Sequence, residues 1–138
     1  MSAKPLDGAT VLVIEDHEDT LDLFTLLLEE AGARVLSAPS CERGLAHLDQ
    51  SSVDVIVSDL AMPGVDGWEC IRRVRGRADG SARCPALAVS GNASMDDAGR
   101  SRSAGFDAHL SKPVDPDVLI AKVRELLLQR ATSRSPQP

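Results

Sequence analysis

The sequence predicts a doubly wound α/β domain, a five-stranded parallel sheet with five helices on its two faces. Three observations predict it. Short runs of β-branched and aliphatic residues alternate with stretches of helical periodicity along the chain. Several of the β-type runs are apolar without alternation, the pattern of strands buried on both faces. The 138 residues are 43% apolar and 26% charged, which suits one compact domain. With two Phe, one Trp and no Tyr, its core must be built from Leu, Val, Ile and Ala.

The elements follow in order. Val11–Ile14 is the first strand-type run. After Asp16, the residues Leu21, Phe24, Leu28 and Ala31 recur at helical spacing, and Gly32 supplies a C-terminal stop. Ala33–Ser37 is a weaker strand. Ser40 caps a second helix that buries Cys41, Leu45 and Leu48. Val53–Val57 is rich in β-branched residues. Trp68, Ile71 and either Val74 or Arg75 mark a third helix, and a Gly/Arg/Ser-rich loop runs from Gly76 to Arg83. Pro85–Val89 and Ala108–Leu110 are short strands bounded by turn residues. Between them, Ser94–Ala104 offers only Met95, Ala98 and Ala104 as apolar anchors, which predicts a lightly packed helix of low local stability. The last helix has Asp115 as cap, Pro116 at its first position, then Leu119, Val123, Leu126 and Leu127. Residues 1–9 read as an N-terminal extension, 10–130 as the domain and 131–138 as a disordered tail.

Charge and composition exclude several function classes. A formal net charge of −6 lacks the clustered Lys and Arg that nucleic-acid backbones require. No apolar run reaches the roughly 20 residues of a membrane span, and the N-terminus has no secretory h-region. These features predict a cytoplasmic protein. Cys41, Cys70 and Cys84 are odd in number and lack C-x-x-C spacing, which argues against a disulfide framework or a zinc site. They read as small buried hydrophobes in a reducing cytosol.

The chemistry collects at the ends of strands. Glu15 and Asp16 follow the first strand, Asp59 the third, Ser90 the fourth and Lys112 the fifth. In a doubly wound sheet the carboxyl ends of the strands share one edge, where ligands bind. Three carboxylates there repel one another unless something neutralises them. Oxygen-only ligands suit Mg²⁺, and His17, which adjoins Asp16, is read as starting a helix rather than as a ligand. Mg²⁺, Lys112 and the Ser90 hydroxyl together could hold the oxygens of a phosphoryl group, with a carboxylate as its acceptor.

Across about Thr10 to Gln129 the chain resembles the receiver domain of two-component response regulators, most of all receivers attached to hybrid histidine kinases. The motifs that carry the resemblance are Val11-Leu-Val-Ile-Glu-Asp16, Asp59-Leu-Ala-Met-Pro-Gly-Val-Asp-Gly67, Val89-Ser-Gly91 and Leu110-Ser-Lys-Pro113. The resemblance implies a flavodoxin-like sheet of order 2-1-3-4-5. It implies that Asp59 is the phosphoacceptor. Asp16, Asp59 and the backbone carbonyl of Ala61 would ligate Mg²⁺, with Glu15 acting through water. Ser90 and Lys112 would contact the phosphoryl group, and a cis peptide before Pro113 would aim Lys112 into the pocket. The implied partner is a sensor histidine kinase or a histidine phosphotransfer protein, with a kinase domain in the same parent chain if the domain is excised from a hybrid kinase. Neither nucleic acid nor membrane is expected as a partner. The protein would assist its own phosphorylation without being a metabolic enzyme.

Two positions depart from the family or leave its chemistry open. The switch residue on the fifth strand, usually Tyr or Phe, is His109, whose imidazole could rotate and add pH sensitivity. Ala61, two after the acceptor, cannot orient a hydrolytic water, whereas Asn92 could. Gly67 serves a backbone need, and Trp68 is a packing residue placed to report binding by fluorescence. The competing readings are a phosphorylation-independent pseudo-receiver and a phosphohydrolase of haloacid dehalogenase type. The second would need an acid where Ala61 stands.

Overall fold

In the computed structural model, residues 4–91, 100 and 102–133 are described, with side chains to 129. Five parallel strands run in the order β2-β1-β3-β4-β5. They are β1 (Thr10–Ile14), β2 (Arg34–Ala38), β3 (Val55–Asp59), β4 (Ala86–Ser90) and β5 (Ala108–Ser111). The helices are α1 (Glu18–Glu30), α2 (Cys41–Gln50), α3 (Gly67–Arg75), α4, described at 100 and 102–104, and α5 (Pro116–Ser133). A short 3-10 helix, Gly80–Arg83, precedes β4.

Alternation along the strands builds two cores. Leu12, Ile14, Ile56 and Ala88 face α2 and α3, meeting Leu48, Ile71 and Val74. Val11, Val13, Val57 and Leu87 face α1 and α5, meeting Phe24, Leu28, Leu119 and Val123. Strands β3 and β4 are buried throughout, and β1 is buried but for its first residue, as their continuous apolar runs predict. At the sheet edge β2 leaves Arg34 and Ser37 exposed, so its signal is weak. β3 begins two residues later than the β-branched run suggests. Val53 is buried ahead of the strand, and the Asp54 carboxylate accepts the Thr10 N–H at 2.8 Å.

Capping follows the sequence closely. Ser40 accepts the Arg43 N–H, Asp66 the Glu69 N–H, and Asp115 the Asp117 N–H. Gly32, at φ 105°, ends α1 in the left-handed region. The helix α5 continues to Ser133, past the boundary at 130. Leu6 in the N-terminal extension is 1% exposed and donates its N–H to Ala31 at 2.8 Å, so the extension packs on the domain. The low-stability reading of Ser94–Ala104 falls mostly outside the described residues, as does Asn92.

The cysteine reading is corrected. Cys41 and Cys70 form a disulfide between α2 and α3, with Cα atoms 5.7 Å apart. Their separation of 29 residues carries no motif, and only the sheet order makes α2 and α3 neighbours. Cys84 is buried and takes no part in a disulfide.

Candidate functional site: an acidic pocket at the carboxyl edge of the sheet

Parallel strands bring their carboxyl ends to one edge, and the expected residues meet there. Registers pairing Ile14 with Ser58 and Asp59 with Val89 hold β1, β3 and β4 level. Glu15 and Asp59 are 1% and 5% exposed, an expensive burial for two acids unless each has a partner. Lys112 is that partner. Its Nζ donates to Glu15 Oε1 at 2.7 Å and lies 3.6 Å from Asp59 Oδ1. The Lys112 N–H donates to the Ser90 carbonyl at 2.7 Å, and the Lys112–Pro113 peptide is cis.

One lysine does not neutralise three acids. Burial alone would raise Glu15, but the Lys112 ammonium and hydrogen bonds with Asp59 and the His17 N–H hold it below its ordinary value. Asp59 moves the other way, pushed up to about 6 by burial and by the charge of Glu15 next to it. Lys112 and a backbone hydrogen bond from Ala61 offset that rise only in part. Burial works against the charged form of Lys112, yet its two acidic partners raise it. Asp59 is therefore the member of the pair that keeps a proton longest as pH rises.

The donor set fits a hard divalent cation. Glu15, Asp16, His17 and Asp59 each offer an atom within 4.8 Å of the others. Asp16 Oδ1 is buried and accepts no hydrogen bond among the described residues, an orphan of the sort a cation satisfies. His17 is closer to the acids than its sequence position suggested. It caps α1, and its Nδ1 lies 3.4 Å from Asp16 Oδ1 and 3.5 Å from Glu15 Oε2. Spacing along the chain could not reveal that ring orientation.

Next to the acids an open recess of about 570 Å³ is lined by Ala61, Met62, Trp68, Ser90 and Arg100. The Arg100 guanidinium stacks 4.3 Å above the Trp68 ring, a contact the sequence did not signal. Gly67 opens α3 directly against the end of β3. Its N–H donates to Leu60 at 2.9 Å, and a methyl group there would overlap the Asp59 carbonyl oxygen. His109 stands on β5 opposite Ala88, with Nε2 buried and unpaired among the described residues.

Comparison with known proteins agrees with this geometry. The family model described as response regulator receiver domain matches residues 11–124. The virulence sensor protein BvgS of Bordetella pertussis is 36% identical over 140 residues, covering 99% of this chain and 11% of BvgS. The chain thus spans about a tenth of the length of that relative. An uncharacterised protein of Leptolyngbya boryana is 40% identical over 118 residues, covering 86% of this chain and 89% of its own length. The hybrid signal transduction histidine kinase D of Dictyostelium discoideum is 33% identical over 117 residues, 80% of this chain and 8% of that protein. Among solved structures, a response regulator receiver domain protein of Clostridium thermocellum superposes with a TM-score of 0.82 at 26% identity, covering 91% of this chain and 98% of that one. The signal receiver domain of a histidine kinase from Syntrophus aciditrophicus gives 0.82 at 25%, covering 95% and 98%. On the family match, the strand order and these relatives together, the chain belongs to the response regulator receiver domain family, and it is similar to receivers found in hybrid histidine kinases.

Proposed function

We propose that this domain takes a phosphoryl group from a phosphohistidine onto Asp59 and changes its binding to partners as a result. The observation that carries the reading is the buried Asp59 carboxylate at the end of β3, with Lys112 3.6 Å away and Glu15 and Asp16 beside it. An Asp59 oxygen attacks phosphorus and forms the acyl phosphate P–O bond. The P–N bond to the donor imidazole breaks, and its electron pair leaves with the histidine nitrogen, which ends protonated. Lys112 would face the charge that collects on the phosphoryl oxygens, and Ser90 lines the adjoining recess. Glu15 keeps Lys112 in place through its 2.7 Å contact.

Asp16, Asp59 and the Ala61 carbonyl would hold Mg²⁺, with Glu15 behind them through water. The cation would supply positive charge against the transferring oxygens. Asp59 must be ionised to attack, and a value near 6 in the metal-free site leaves it mostly ionised at neutral pH.

The donor in this reading is a sensor histidine kinase or a histidine phosphotransfer protein in the cytoplasm, and in a hybrid kinase it is the kinase domain of the same chain. Among the described residues no helix is long and apolar enough to cross a membrane. The domain assists its own phosphorylation and is not a metabolic enzyme. Ala61 supports this over a phosphohydrolase, because a methyl group cannot serve as the acid that such an enzyme places two residues after its nucleophile. Intact Glu15, Asp16, Asp59, Ser90 and Lys112 speak against a pseudo-receiver.

The test is incubation with acetyl phosphate and Mg²⁺, read by intact mass, beside Asp59→Asn. One phosphoryl adduct is expected, lost on chelation and absent from the variant. An adduct that survives the substitution, or none in the parent, overturns the reading.

A further inference from the structure

The Cys41–Cys70 pair lies outside the phosphoryl chemistry, yet its position ties it to the same edge of the sheet. Cys41 is the first residue of α2, and Cys70 lies in the first turn of α3, three residues after Gly67. Both are 2% exposed, and their Cα separation of 5.7 Å is within the range a disulfide spans. The first turn of α3 is fastened in turn to the acceptor segment. The Gly67 N–H bonds to the Leu60 carbonyl, and the Gly67 Cα has no room for a methyl beside the Asp59 carbonyl. Movement of that turn therefore reaches the loop that carries Ala61.

Reduction changes the packing of that turn. Two sulfurs that are not bonded must stand at van der Waals separation, roughly an ångström or more beyond a disulfide bond. With both sulfurs buried between the first turns of α2 and α3, that room comes from side-chain rotation or from the turns parting, and either one repacks the start of α3. A domain of this size with two aliphatic cores does not depend on a staple for folding, so the bond is free to be made and broken. In a reducing cytoplasm the dithiol is the resting form.

We propose that Cys41 and Cys70 are a redox modification site whose dithiol and disulfide forms hold the loop after Asp59 in two positions and so set the affinity of the neighbouring acids for a divalent cation. The oxidant class is a small hydroperoxide. One thiolate attacks the peroxide, the O–O bond breaks, an alcohol or water leaves and a sulfenic acid forms. The second thiolate displaces water from that sulfur and closes the S–S bond. Two thiol hydrogens and two electrons are lost, and the peroxide is reduced by two electrons. Burial of both sulfurs means that reagents reach them only when the two first turns open, so exchange is slow in the folded protein. Coupling is reciprocal, and a cation that binds the two forms with different affinity must shift the dithiol–disulfide equilibrium.

The cation arm of this inference rests on the proposed metal site, and the loop arm does not. The experiment compares parent protein oxidised with hydrogen peroxide and reduced with dithiothreitol, beside Cys41→Ala/Cys70→Ala, which keeps Cys84. Peptide mapping should find the Cys41–Cys70 link in the oxidised parent. Hydrogen exchange over the loop from Leu60 to Gly67 should differ between the two forms without any metal. The Mg²⁺ dissociation constant, read from Trp68 fluorescence, should differ several-fold between them, and the double variant should be insensitive to both reagents. Failure to form the link, or identical loop exchange in linked and reduced protein, overturns the proposal. A loop difference with no Mg²⁺ response in either form overturns the metal site and the cation arm while the loop coupling stands. If the double variant does not fold, the two forms of the parent still decide.

Discussion

Replacing Asp59 with Asn should stabilise the metal-free protein at neutral pH, although it removes the proposed acceptor. Folding moves the Asp59 carboxyl from an ordinary 3.8 up to about 6, because the group is buried beside the ionised Glu15. A raised value means that the folded state holds the proton more tightly than the unfolded chain does. Between about pH 4 and 6 the unfolded chain is already ionised while the folded one resists, so stability falls as pH rises through that window. The penalty is complete above the folded value and absent below the unfolded one. A shift of about two units corresponds to about 3 kcal/mol at neutral pH. Asn is uncharged throughout but gives Lys112 a weaker partner, so the net gain should be about 1–3 kcal/mol, or roughly 4–10 °C in Tm for a domain of this size. Urea unfolding followed by far-UV circular dichroism, in chelator, at several pH values from about 4 to 8, measures it. The difference between variant and parent should grow over the lower part of that range and level off above it. A variant less stable than the parent at neutral pH, or a difference that does not vary with pH, would refute the electrostatic account of the site.

Lys112→Met should destabilise the protein by about 2–3 kcal/mol at neutral pH by leaving buried Glu15 without its ammonium. Glu15 is held below its ordinary 4.5, a contribution present above that value and lost as pH falls, so the cost should shrink in acid and a constant cost would count against it. Gly67→Ala should push the start of α3 away from the Asp59 carbonyl, costing about 1–3 kcal/mol in urea unfolding. It should also slow labelling by acetyl phosphate far more than a methyl group elsewhere on α3 would, and equal labelling rates would show that the loop tolerates displacement.

How much of this was legible in the sequence depends on which forces act locally. β1, β3 and β4 were readable because burial on both faces leaves one signature, an unbroken apolar run. β2 was faint because an edge strand keeps Arg34 and Ser37 in water. Helical spacing could not choose between Val74 and Arg75, since both point toward protein. Val74 enters the core, while the Arg75 guanidinium donates to the carbonyls of Ala82, Cys84 and Gly105 and ties α3 to two loops. Periodicity reports which way a residue faces, and not whether it meets methyl groups or carbonyl oxygens. The meeting of Glu15, Asp59 and Lys112 was legible because parallel topology alone brings strand ends together. The Cys41–Cys70 bond and the His17 ring were not, because each depends on helix placement or a side-chain rotamer that no spacing rule encodes.

The same topology accounts for the electrostatics of the pocket. Strand ends converge whether or not their charges balance, and here three acids face one lysine. Glu15 takes the closer contact with that lysine and is held ionised, which leaves Asp59 with the weaker share and the raised value. The imbalance is what makes Asp59 responsive. A group already satisfied by a salt bridge would gain little from a cation, whereas Asp59 and the orphaned oxygen of Asp16 gain from one. Glu15 therefore acts twice in the proposed chemistry, by anchoring Lys112 and by keeping its neighbour unsatisfied.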